Sequence, residues 1–304
     1  MAISRTQLVK ELEPGLNALF GLEYKRYENQ HAEIYVTESS DRAFEEEVML
    51  SGFANAQTKA EGSGVAFDSA QETYTARYTH DTIALAFAIT EEAIEDNLYD
   101  RISSRYTKAL ARSMSNAKQV KAVTPLIDGL PSTDGFDSGD GVSLFNTAHT
   151  TVSGTNVKNT LTTQADLNET SLEQSLIDIA AMTDERGLKI AAQGTKLIIP
   201  SALQFTAERL MKSAGRTGTA DNDINAIGSM GMIPQGYRVN NYLTDSDAFY
   251  IITDVPNGMK MFQRAPLKTA MEGDFDTGNV RYKARERYSF GVSDYRGIFG
   301  VEGA

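Results

Sequence analysis

The chain contains no cysteine. Disulfides, thiolate metal ligands and cysteine nucleophiles are therefore excluded. Histidine is scarce, with His31, His80 and His149 the only three. No G-x-x-x-x-G-K phosphate loop, G-x-S-x-G elbow, H-E-x-x-H zinc motif or G-x-G-x-x-G fingerprint occurs. Long apolar runs are missing too. The most apolar window, residues 82–90, is far shorter than the ~20 residues a membrane-spanning helix needs. The opening MAISRTQLVKELEP lacks the uninterrupted apolar core of a signal peptide.

Positive charge is in deficit: 29 Lys and Arg against 41 Asp and Glu leave −12 over 304 residues. This argues against a nucleic-acid binder working through bulk charge, while leaving room for a protein that encloses nucleic acid. Hydrophobic residues at 41% and charged residues at 23% are ordinary globular usage and speak against disorder. The length suits one large domain or two smaller ones.

His149, in SLFNTAHTT, is the one histidine whose setting resembles a site. A hydrolase would pair it with a serine and an aspartate, but nothing local completes that trio, and a hydrogen-bonded structural histidine is expected. His80 falls in an alternating Tyr/Thr stretch and reads as an exposed strand residue. Asp134, Asp137 and Asp140 in DGFDSGDG invite a calcium reading, yet their spacing fails the EF-hand pattern, and solvated turns use the same residues. No catalytic residue, cofactor or metal site is expected.

Ser4 and Gln7 stand in capping-box spacing, followed by Leu8, Leu12, Leu16 and Leu19 at helical intervals. Pro14 and Gly15 interrupt them, which predicts one short helix or two broken turns. This arm is too poor in apolar residues to form a domain and has to dock on its own body or on a neighbour. From 44 to 90 the pattern is β. Val48, Leu50 and Phe53 begin one strand, KAEGSG (59–64) makes a flexible tip, and 73–82 returns. Ile83, Leu85, Phe87 and Ile89 then alternate with Ala84, Ala86 and Ala88, bulky residues on one face and alanines on the other. A long two-stranded ribbon is marginal alone in water, so a partner chain is expected to supply the missing contacts.

Thr90 reads as the cap of a helix that runs without Gly or Pro as far as Pro125, with Glu91 and Glu92 in its first turn and Lys118 and Lys121 in its last. Ile94, Leu98, Ile102, Tyr106, Leu110, Met114, Ala117 and Val120 form its apolar stripe. Residues 129–167 read as loop. Thr170 with Glu173, and Ser201 with Gln204, have capping-box spacing on two helices, and TKLIIP (195–200) is a buried strand between them. That alternation indicates an α/β unit over about 127–271. D-V-P-N-G is a hairpin signal. In the last stretch Val280, Tyr282, Ala284, Tyr288, Phe290 and Val292 share one side, interrupted by Glu286, and Arg281, Lys283, Arg285 and Arg287 share the other. The four cations read either as charge protecting an edge strand or as a docking surface for the acidic run Glu45, Glu46 and Glu47, on the same or a neighbouring subunit. Docking of that kind strengthens at low salt.

Arm, ribbon, long helix, α/β insertion and terminal β segment occur in that order. With SLFNTAHTT, TKLIIPSALQFTAERLM and the closing AFYIITDVPNGMKMFQRAPLKTAMEGDFDTGNVRYKARERYSFGVSDYRGIFG, the chain resembles tailed-bacteriophage major capsid proteins of the Hong Kong 97 fold over nearly its whole length. The resemblance implies an α+β chain. Residues 1–43 would be the N-arm and 44–82 an extended β-ribbon loop overlapping a neighbouring subunit. Residues 83–126 and 272–304 would be a peripheral domain with a long spine helix at 90–121, and 127–271 an α/β axial domain. It also implies a structural protein, not an enzyme, that self-assembles into hexamers and pentamers of an icosahedral head around double-stranded DNA. Scaffold, portal and possibly decoration proteins are the other partners; no membrane is involved, and assembly takes place in the host cytoplasm before the virion forms. Negative charge fits this role, since a strongly basic lining would hold the genome too tightly.

Some relatives carry a cleaved N-terminal scaffolding segment; here the arm comes first, so a separate scaffold is expected. One member seals its shell with a Lys–Asn isopeptide bond. Lys59 is the lysine at the ribbon tip, but 280–304 hold no Asn and Asn279 is the nearest, so a surface contact is expected of Lys59. Candidate inter-subunit residues are Glu45, Glu46, Glu47, Lys59, Glu61, Arg281, Lys283, Arg285 and Arg287. Two alternatives stay open: an encapsulin-type nanocompartment shell of the same fold, and a two-domain enzyme with a site near His149.

Overall fold

The computed structural model describes residues 5–90, 92, 99–133, 135–215, 223–274 and 278–304. In chain order it begins with α1 (Arg5–Arg26), a 3-10 turn (Gln30–Glu33), β1 (Val36–Ser39), β2 (Phe44–Leu50), β3 (Glu72–Thr79), β4 (Asp81–Ile89) and α2 (Tyr99–Asp128). There follow β5 (His149–Thr150), β6 (Asn156–Val157), α3 (Glu169–Ala181), β7 (Gly194–Ile199), α4 (Gln204–Lys212), α5 (Ala226–Met230) and β8 (Tyr237–Val239). The chain closes with β9 (Phe249–Thr253), β10 (Met259–Gly273), β11 (Val280–Val292) and β12 (Ile298–Val301).

Two four-stranded sheets organise the chain, in the orders β1-β10-β11-β4 and β12-β9-β7-β8. The ribbon β2–β3 is separate, pairing Phe44 with Thr79 and Leu50 with Glu72. The expected return strand over 73–82 breaks at His80: β3 stays in the ribbon, whereas β4 pairs with β11. The D-V-P-N-G hairpin is not formed, because β9 and β10 lie in different sheets. This turn instead carries the chain from one sheet to the other, with Asn257 at φ 60. There Gly258 and Gly297 meet so closely that a Cβ on Gly297 would lie 2.3 Å from the Gly258 Cα, so both positions require glycine. Strand pairing links the segments expected to be peripheral and axial. β10 runs across 271/272, and β12 pairs with β9 rather than with β4 and β11, because Ile298, Phe299 and Val301 fill the second sheet's core.

The helices differ from expectation at their ends. α1 is continuous through Pro14. Downstream packing holds it: Leu16 and Phe20 are buried against Leu110, Ala111 and Met114 of α2 and against Tyr282 and Ala284 of β11. Full burial of such a side chain is worth about 1.5–3 kcal/mol, enough to offset one lost helical hydrogen bond. The arm therefore docks, from Leu16 onward, on its own body. The expected first turn of the long helix, Glu91 to Leu98, lies outside the described residues apart from Glu92. At its other end α2 passes Lys121 and Pro125 and stops at Asp128. Loop N–H groups of Gly135 and Phe136 cap the Asp128 carbonyl, at 2.7 and 3.0 Å. Tyr106 and Val120, expected inward, are 54% and 46% exposed. The buried stripe runs through Thr107, Leu110, Ala111, Met114, Lys118, Gln119, Ala122 and Leu126.

α3 is capped by Asn168 and Ser171, each side chain bonding the other's N–H, and not by Thr170 and Glu173; it ends at Ala181. No side-chain cap from Ser201 starts α4, which follows a 3-10 turn. The loop 129–167 is less solvated than its composition suggests, since Leu144 and Phe145 are fully buried.

β11 is an interior strand, so its cations do not protect an edge. Glu286 does not interrupt the apolar face either. It is fully buried on that face and bonded to Lys118 of α2 at 3.0 Å. Burial pushes its carboxyl up, against the pull of the ammonium. Lys118→Met alone leaves a buried carboxylate without its counter-charge and should cost about 3–5 kcal/mol of unfolding free energy. Adding Glu286→Leu should restore most of the loss. Urea unfolding followed by circular dichroism reads both; an uncorrected double mutant would show that the pair does more than neutralise itself.

Candidate functional site: the assembly surfaces

The ribbon ends in a finger. Ser51 and Gln71 close its neck, with the Ser51 N–H on the Gln71 carbonyl at 2.9 Å and the Gln71 N–H on Ser51 Oγ at 3.0 Å. Beyond it, residues 53–72 are all exposed. Phe53, Val65 and Phe67 are 61, 69 and 98% exposed. Asp68 orders the segment by accepting the Ala54 and Ser69 N–H groups, which lowers its carboxyl pKa. Arg186 reaches the finger, donating to the Ser69 carbonyl at 2.5 Å. Lys59 and Glu61 sit at the tip with no ion pair among the described residues.

The finger's base is fixed by polar chains to the first sheet. Glu47 of β2 takes the Lys260 ammonium at 2.5 Å, which also meets Glu38 at 3.2 Å. Tyr78 donates to Ser293, and Ser293 donates to Glu47. Glu45 accepts from Ser40 at 2.7 Å, so the Ser40 oxygen receives the N–H of His80 Nε2, and Ser289 donates to Nδ1. His80 is therefore buried, where its alternating neighbourhood pointed to exposure. Glu46 meets Arg77 at 3.7 Å on the surface. Within this chain Glu45 and Glu47 thus anchor the finger, Glu46 pairs inside the ribbon, and none of the three meets a β11 cation among the described residues. Lys260, Ser293 and Tyr78 were not foreseen as their partners; they are far apart in sequence and no local pattern joins them.

Those cations line an open sheet face. α1 and α2 cover the other face, where Tyr282, Ala284 and Glu286 lie. On the open side Arg281, Lys283, Arg285 and Arg287 stand opposite Ala88, Ala86, Ala84 and Thr82 of β4. The alanines leave the row unobstructed. Arg281 is paired with Asp274 at 2.5 Å and Arg287 donates to the His80 carbonyl at 3.5 Å, while Lys283 and Arg285 have no carboxylate partner among the described residues.

The acidic loop is structural. His149 is fully buried, with Nδ1 at 2.6 Å from Asp140, Nε2 at 3.2 Å from Asn159, and its ring stacked 3.8 Å from Tyr295. Both nitrogens are occupied, and no serine among the described residues completes a triad. Asp137 bridges to Ser143 through the backbone, and Asp134 lies outside the described residues. No cluster of metal-ligating side chains occurs among the described residues. Arg296, also buried, joins Glu185 at 2.6 Å and Asp294 at 3.3 Å.

An extended finger thus projects from a two-sheet body crossed by a long helix. The capsid of Myoviridae phage XM1 is similar at 10% identity, covering 89% of this chain and 90% of that one with a TM-score of 0.53. The procapsid of bacteriophage JBD30 matches at 13%, covering 99% and 77%, TM-score 0.55. A virus-like particle from Pyrococcus furiosus matches at 10%, covering 95% and 98%, TM-score 0.53. A search of curated proteins finds no match. These identities speak to fold alone, which is that of the Hong Kong 97-like capsid subunits. A family model described as phage capsid protein matches residues 72–301, and the chain belongs to that family. It is a structural subunit of a phage head and a component of the virion.

Acid sensitivity follows from His31, which joins α1 to the body. Gln119 takes the His31 backbone N–H at 2.9 Å on its oxygen and turns its amide nitrogen, 3.0 Å away, toward Nδ1, an arrangement that suits neutral imidazole. Burial and the nearby Lys118 ammonium lower its pKa from 6.5 to about 4. The stabilisation is thus complete above pH 6.5 and is lost as pH falls toward 4, by about 3 kcal/mol. His80, pushed down by burial and Arg287, adds in the same direction. Chemical unfolding at pH 7 and pH 4.5 should show a smaller acid loss in His31→Gln than in the wild type; equal losses would remove His31 as a cause.

Proposed function

We propose that this subunit assembles into hexamers and pentamers of an icosahedral head that encloses double-stranded DNA, with its finger laid across a neighbouring subunit. The observation that carries this reading is the finger itself. Phe53, Val65 and Phe67 lie in water on a segment with no core of its own, and apolar surface held out in this way marks a contact site. In this scheme Glu45, Glu46 and Glu47 hold the finger's base. Lys59 and Glu61 make contacts at its tip, and Lys283 and Arg285, with Arg281 and Arg287 beside them, receive acidic groups of a neighbour. Scaffold, portal and decoration proteins, assembly in the host cytoplasm and the division into peripheral and axial domains belong to the same reading. So does the absence of catalysis, which the buried and saturated His149 supports.

A closed nanocompartment with a protein cargo is the second reading, favoured by the similarity in fold to the virus-like particle. Contents separate the two: DNA and a portal vertex, or protein in a closed shell. Negative-stain imaging of the purified chain should show uniform particles, rings or tubes. Phe53→Ser with Phe67→Ser should raise the concentration needed for assembly roughly a hundredfold while leaving the thermal midpoint of the subunit unchanged. A wild type that stays monomeric at every concentration, or a variant that assembles as well as the wild type, would overturn the proposal.

A further inference from the structure

The long helix carries a second cationic row, on the side of the molecule away from the open sheet face. Arg105, Lys108 and Arg112 of α2 are exposed and spaced i, i+3, i+7, which places them on one helix face over about 10 Å. None has an ion pair or hydrogen bond among the described residues. Elsewhere in the fold Arg26, Arg77, Lys118, Lys121, Lys158, Lys196, Lys212, Lys260 and Arg296 all meet a carboxylate. From 101 to 121 the sequence contains no Asp or Glu, in a chain of net charge −12. A carboxylate-free helix face is therefore a local reversal of the protein's field, and three cations held apart without partners repel one another unless an anion joins them.

The row borders a groove of about 560 Å³ between α2 and α1, lined by Lys108, Arg112, Ser113 and Asn116 on one side and Glu23 and Tyr27 on the other. The Glu23 carboxylate is already engaged by the Tyr27 hydroxyl at 3.3 Å and by Arg26 at 3.5 Å. Lys108 and Arg112 thus remain the uncompensated charges, with Ser113 and Asn116 as neutral donors beside them. Cations flanked by hydroxyl and amide donors are the groups that hold phosphate oxygens.

We infer that this face of α2, with the groove beside it, binds the phosphate backbone of double-stranded nucleic acid. The inference rests on the shell reading, which supplies DNA as the enclosed partner. Duplex DNA presents a phosphate every ~3.4 Å along each strand, so about 10 Å of helix face meets roughly three phosphates with three cations. A docked protein helix would want apolar anchors, and the groove offers little beyond Ala109 and the Tyr27 ring. Contact through so few charges is weak and independent of sequence for one subunit, and it adds up over many copies.

Binding of a fluorescent 30-base-pair duplex to the full chain, read by anisotropy between 25 and 200 mM salt, tests the inference. Neutralising three phosphate contacts in Arg105→Gln/Lys108→Gln/Arg112→Gln should weaken binding at least tenfold at the lowest salt, and should reduce the slope of log K against log salt by about 2.7. Lys189→Gln/Lys212→Gln, at cations outside both proposed surfaces, should bind like the wild type. Equal binding by the α2 variant and the wild type, an equal loss in the Lys189/Lys212 variant, or no binding of the duplex by the wild type at 25 mM salt would overturn it. So would displacement of the duplex by polyglutamate at matched charge, which would assign the face to an acidic polypeptide. Negative-stain imaging of the same samples keeps the two proposals apart: particles that form but ignore DNA end this inference alone, whereas a chain that never assembles ends the shell reading.

Discussion

One buried charge pair selects the register in which helix and sheet pack. Lys118 on α2 meets Glu286 on β11 with both side chains almost wholly out of water. A single buried charge would be untenable, so helix and sheet can pack only in the register that brings these two together. The consequences spread along both elements. β11 is held with Tyr282 and Ala284 toward the helices, where they receive Leu16 and Phe20 of the arm, and its odd-numbered cations are turned to the other side. Alternation along a strand does the rest: once Glu286 faces inward, Arg281, Lys283, Arg285 and Arg287 have to face out.

Much of this was legible in the sequence. The alternation of bulky residues and alanines over 83–89 described β4 correctly, because a period of two is a local property of the backbone. The long helix was visible from its lack of Gly and Pro, and the buried strand at β7 from its β-branched run. What escaped was set by distant partners. Pro14 does not break α1 because packing by Leu16 and Phe20 outweighs one missing hydrogen bond. His80 is buried because Ser40 and Ser289, far away in sequence, enclose it. The turn at Asn257 has the chemistry of a hairpin, yet its flanking strands find better partners in separate sheets.

The candidate contacts divide along the same line. Lys59 and Glu61 stand at an exposed tip, as a Gly-rich stretch between strands suggests. Glu45, Glu46 and Glu47 looked like a free acidic surface, but alternation along β2 gives them different partners, and a charge run read as a unit is split by the strand that carries it. The cationic face of α2 did have a sequence signal, the carboxylate-free interval from 101 to 121. It was hidden by reading Lys118 and Lys121 as complements to a helix dipole, when one is buried with Glu286 and the other pairs with Asp81.

The narrow neck at Ser51 and Gln71 has a geometric consequence. Residue Gly52, just past it, has φ 66, a conformation from which glycine departs readily in either direction. A few degrees of rotation there would be multiplied toward the tip at 59–64, while Arg186 holds the return limb at Ser69. Under the proposed shell reading, one polypeptide would then meet neighbours seated at unequal tilts, and a closed surface mixing fivefold and sixfold surroundings would need only one gene product to tile it.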